Sequence, residues 1–101
     1  MKRIKTFDIL YILLNYGYIE RRISGKKRVK YFLCYPHFVF QPRFYSVSNK
    51  QFENLLRYGL IKETFVEFHK KWYSSFYYLD IDCHLLDKLR DFVRECCDTK
   101  I

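Results

Sequence analysis

Apolar side chains recur along this chain with two different periods. Around 52–56 and 85–96 they return every three to four residues, the spacing that lines one face of an α-helix. Across 18–35 and 60–79 they alternate or run together among β-branched and aromatic residues, which reads as strand. The most completely marked element is the stretch from Ser48 to Tyr58. Ser48 suits the N-cap and Gln51 the third helical position, which together make a capping box. Val47 and Phe52 are spaced as a hydrophobic staple, and Gly59 stands where a helix stops. Phe52, Leu55 and Leu56 are expected on the buried face. Asn49, Lys50, Glu53, Asn54 and Arg57 are expected on the outer one.

The same signals place the other elements. Thr6 is expected to cap a first helix running to about Tyr16, with Gly17 as its stop. That helix has almost no polar face, so it belongs in the centre of the core or against a second subunit. Residues 18–23 and 28–35 read as a hairpin turning at Ser24-Gly25-Lys26. The alternative, a first helix continuing through residue 23, stays open because Gly17 is the only clear break. Pro36 and Pro42 bracket His37-Phe38-Val39-Phe40, a loop or short edge strand, since proline cannot donate to a ladder. Residues 43–47 read as extended. Strands at 60–69 and 72–79 join around Lys70-Lys71, with more apolar residues than one buried face holds. A last helix, about 83–97, carries the stripe Leu85, Leu86, Leu89, Phe92, Val93 and Cys96. The expected fold class is α+β: a small single domain of about three helices and two β-hairpins.

Composition agrees with a folded domain, since half of the 101 residues are apolar and 21% aromatic. Charge adds a direction. The net charge is +8, and residues 1–30 hold nine Lys/Arg against two acids. A basic third beside a nearly neutral remainder points to a polyanionic partner, with plain solubility as the bland alternative. The basic residues singled out are Lys2, Arg3 and Lys5 near the start, and Arg21, Arg22, Lys26, Lys27, Arg28 and Lys30 on the first hairpin. A basic β-ribbon can track a phosphate backbone, whereas lysines at a solvated hairpin end merely discourage edge pairing. Alanine is absent, and residues with AT-rich codons abound, which suggests an AT-rich genome such as that of a virus, phage or plasmid.

Other chemistry is thinly represented. Cys34, Cys83, Cys96 and Cys97 include no C-x-x-C pair and are too few for a secreted disulfide scaffold, so a reducing, cytoplasmic setting is expected. Cys83 and Cys96, placed on one helix about 20 Å apart, are too distant to share a metal ion. The three histidines lack a nucleophile or metalloprotease pattern, and Asp80 and Asp82 read as capping residues. No catalytic residue, metal or cofactor is assigned, and the chain is not expected to be an enzyme. Asp8 and Glu20 bracket too short an apolar run for a membrane span, and Asp8 argues against a signal peptide.

Val47-Ser48, Phe52, Leu55-Leu56, Tyr58-Gly59-Leu60-Ile61 and Tyr77-Tyr78-Leu79 together resemble the second half of a winged-helix DNA-binding domain. The resemblance covers about a third of the chain. It implies a helix entering the major groove and a wing touching the backbone. Asn49, Lys50, Asn54 and Arg57 would then face DNA, with Lys70 and Lys71 at the wing tip. The expected function is nucleic-acid binding by a small homodimeric regulator. The alternative is a protein-binding module, such as a viral inhibitor of a host nucleic-acid enzyme, suggested by the aromatic-rich 60–80 hairpin.

Overall fold

A computed structural model gives the fold over residues 4–25, 28–34 and 44–98. The elements run α1 (Thr6–Leu14), β1 (Tyr18–Ser24), β2 (Val29–Cys34), β3 (Phe44–Val47), α2 (Asn49–Arg57), β4 (Ile61–Phe68), β5 (Trp72–Leu79) and α3 (Leu86–Asp98). The chain is a small α+β domain. Its two expected hairpins are parts of one antiparallel sheet, ordered β3-β2-β1-β5-β4. The seam between them is β1 against β5, which sets Ile19 opposite Tyr77 and Ser24 opposite Trp72. Residues 18–23 are therefore strand, which resolves the helix alternative.

Side chains alternate across a strand, so this register sorts the sheet into two faces. Ile19, Leu33 and Tyr77 lie on the inner face, buried in a core with Ile9, Ile12 and Leu13 of α1, Phe52 and Leu55 of α2, and Leu89 and Val93 of α3. Phe52 anchors α2 there. Its ring stacks on Tyr31 at 4.3 Å and meets Tyr77 edge-on at 4.9 Å. Tyr18, Glu20 and Arg22 fall on the outer face, with Phe32, Trp72, Ser74, Phe76 and Tyr78 of the neighbouring strands.

The start and end of α2 follow directly from its residues. Ser48 Oγ accepts from the Gln51 N–H at 3.1 Å, and Gln51 Oε1 accepts from the Ser48 N–H at 3.0 Å, so both arms of the capping box form. Gln51 Nε2 also donates to the Ile4 carbonyl at 3.0 Å, tying the helix to the segment before α1. Gly59 takes φ +70°, and the Gly59 and Leu60 N–H groups return to the Leu56 and Leu55 carbonyls. That pair of bonds is a Schellman stop. Leu56, expected on the buried face, is 47% exposed. The buried stripe of this nine-residue helix is narrow, and Leu56 sits just beyond it.

Three further expectations are corrected. Lys5, not Thr6, is the N-cap of α1, without a side-chain bond, and the helix ends at Leu14. Its left-handed terminal residue is Tyr16, at φ +70°, rather than Gly17. Gly17 is needed for space. A Cβ there would lie 2.3 Å from Ile12 Cγ2 and 2.8 Å from the Ile12 carbonyl oxygen, to which the Gly17 N–H donates at 2.8 Å. α3 begins at Leu86, after a turn in which Asp80 Oδ1 accepts from the Asp82 N–H, so Cys83 precedes the helix rather than sharing it with Cys96. Phe92 of its stripe is 51% exposed and meets Phe7 edge-on at 6.3 Å. The Pro36–Pro42 stretch lies outside the described residues, as do the side chains of Cys96 and Cys97. Among the described residues no helix is long and apolar enough to cross a membrane.

Candidate nucleic-acid interface

The β1–β5 seam brings two hairpin ends side by side. At the first, the Ser24 N–H donates to the Arg28 carbonyl at 3.1 Å. At the second, the His69 N–H donates to the Trp72 carbonyl at 2.9 Å. The two tips are joined by the Gly25 N–H, which donates to the Lys71 carbonyl at 3.3 Å. Between them lies an open groove of about 590 Å³ lined by Ser24, Gly25, Arg28, Lys70 and Lys71. A smaller hollow of about 200 Å³ adjoins it, reaching Phe68, His69, Trp72 and Tyr73. Arg28, Lys70 and Lys71 are all exposed, and among the described residues no acidic side chain lines either hollow.

The other basic candidates are dispersed. Arg57 ends α2 beside the Ile61 end of β4, whereas Lys70 follows the Phe68 end, the length of an eight-residue strand away. At strand rise that is about 25 Å. Lys50 is exposed on α2 and Lys5 on the N-terminal side of α1. Asn54 is half-buried. Asn49 is engaged at both ends of its amide: Tyr31 Oη donates to Oδ1 at 2.9 Å, and Nδ2 donates to Glu53 Oε1 at 3.3 Å. Lys2, Arg3, Lys26 and Lys27 lie outside the described residues.

Alternation separates the strand bases as well. Arg21 points to the helix-covered face. Burial there opposes its charge, but bonds to the Tyr77 and Tyr31 phenols outweigh this and raise its pKa. Arg22 and Lys30 are cross-strand partners on the outer face. The Arg22 guanidinium lies 5.0 Å from the Phe32 ring centroid and 4.6 Å from that of Trp72. Its Nε and Nη2 each lie 3.1 Å from Glu20 Oε2, and the Ser74 hydroxyl donates to the same oxygen at 2.6 Å. Glu20 and Ser74 are buried, so these bonds compensate a carboxylate taken out of water.

Glu20 and Ser74 were not singled out by sequence reasoning. Glu20 looked like one acid diluting six bases, and only the pairing of β1 with β5 reveals its partner. Cys34 is buried beside them. Burial, then the negative charge of Glu20, pushes its thiol up to about 12 from an ordinary 9.0. Burial, then Cys34, likewise raises the Tyr18 phenol to about 12. Among the described residues no group of His, Cys, Asp and Glu is placed to hold a metal ion. No protein-family model, curated protein or solved structure matches this chain.

Proposed function

We propose that the chain binds nucleic acid through its paired hairpin tips. The observation that carries this reading is the bond that holds two basic tips together, Gly25 N–H to Lys71 O, around a groove that no acidic side chain lines among the described residues. Like charges brought together repel, and a polyanion laid across them relieves that cost. The reading implied by the winged-helix resemblance has less support. Asn49 is occupied within the protein, and Arg57 is a strand's length from the tips.

The test is a titration of the whole protein against labelled random-sequence oligonucleotides at low and moderate salt. Three to five phosphate contacts predict a weakening of roughly 20- to 500-fold when salt rises fourfold, the lower values applying to single strands. Lys70→Glu with Lys71→Glu should lower affinity at least about tenfold at the lower salt, by the same electrostatic argument. Affinity that ignores both salt and the double substitution would refute the proposal.

A further inference from the structure

The outer sheet face is the second surface of chemical interest, and its make-up is unusual. Among the described residues all three helices join the inner-face core, and none packs on the outer face. Aromatic rings cover it instead. Phe65, Phe76, Tyr18 and Tyr78 form a connected row over β4, β5 and β1, with centroids 4.4, 5.8 and 5.3 Å apart in turn. Phe65 joins this row only because β4 breaks register between Glu63 and Phe65. In an unbroken strand Thr64 would face outward and Phe65 inward. The irregularity instead sets Phe65 opposite Phe76, where the rings stack at 17° and Phe65 stays 47% exposed. Bulges characteristically re-aim a side chain in this way. Exposing a phenylalanine costs hydrophobic burial, so the arrangement calls for an occupant.

The charges on this face narrow the occupant. Arg22 lies against two rings, and Lys30 and Lys62 stand at outer-face register positions on β2 and β4. Of the two acids here, Glu20 is buried under Arg22 and Ser74, and Glu67 lies 3.2 Å from His69. One exposed ring, Phe65, continued by half-buried rings and interleaved with cations, suits unpaired bases, which stack on the rings while their phosphates meet the cations. A duplex does not fit, because its base faces are already stacked on one another. Trp72 is on this face and also lines the hollow beside the basic groove, so one strand can cross both.

We infer that the outer sheet face is a stacking platform for single-stranded nucleic acid, with Phe65 as its most accessible ring. This rests on the nucleic-acid reading of the hairpin tips and adds the strandedness of the ligand.

The experiment compares single-stranded DNA, single-stranded RNA and hairpin duplexes of matched sequence by anisotropy, with the emission of Trp72, the only tryptophan, as a second readout. The expected result is a preference of about tenfold or more for one or both single strands, with a change in Trp72 emission at the same midpoint. Phe65→Ala should lower single-strand affinity about tenfold and leave duplex affinity unchanged, while Phe65→Tyr, which keeps the ring, should retain binding. Equal affinity for strand and duplex, with Phe65→Ala inert and Lys70→Glu/Lys71→Glu damaging to both, would overturn the platform and leave the tip interface standing. Absence of binding to any of these oligonucleotides would overturn both.

Discussion

Cys34 shows how one buried group makes this protein sensitive to alkali. Its thiol is protonated in the fold up to about pH 12, because burial and the Glu20 carboxylate both oppose a thiolate. In the unfolded chain it ionises near 9.0. Between those values the unfolded state binds fewer protons, so stability is fully retained below about pH 9 and falls as pH rises towards 12. Tyr18 acts in the same sense from 10.0 to about 12. Denaturant midpoints should therefore decline from pH 8 to pH 11, and Cys34→Ala should flatten part of that decline. A variant that declines as steeply as the parent would remove Cys34 as a cause.

At the level of elements, the junction of α1 and β1 is closely packed around Gly17. Gly17 has no room for a methyl group beside Ile12, whereas a Cβ at Gly25 would meet nothing nearer than 3.8 Å. Gly17→Ala should cost about 3 kcal/mol, towards the upper end for overpacking, and Gly25→Ala should be close to neutral. Equal urea midpoints for the two variants would contradict this account. Sequence reasoning located Gly17 as a helix stop, whereas the structure needs it for space and places the left-handed residue at Tyr16. Local signals served well where the cause is local, as in Ser48, Gln51 and Gly59 around α2. They failed where the cause is distant. Arg21 and Arg22 look alike in sequence, yet strand alternation sends one under the helices and the other onto the outer face. Phe65 depends on a register break that no residue pattern announced. The clustering of Arg28 with Lys70 and Lys71 was likewise invisible, because it follows from β1 pairing with β5.

For the whole molecule, that seam decides what can be separated from what. The candidate interface belongs to neither hairpin alone: Gly25 comes from one and Lys71 from the other. Glu20 and Ser74, bonded across the seam, lie 54 residues apart along the chain. Contacts this distant require a long loop to close before they return any stabilisation, which slows folding. Refolding from urea, followed by Trp72 emission, is expected in milliseconds to seconds rather than microseconds. A microsecond phase carrying the full amplitude would contradict this. Until β5 docks, Glu20 lacks its serine partner and the outward edge of β1 is an unpaired template open to other chains. The seam that assembles the basic groove thus also governs the interval in which a newly made chain is most prone to aggregate.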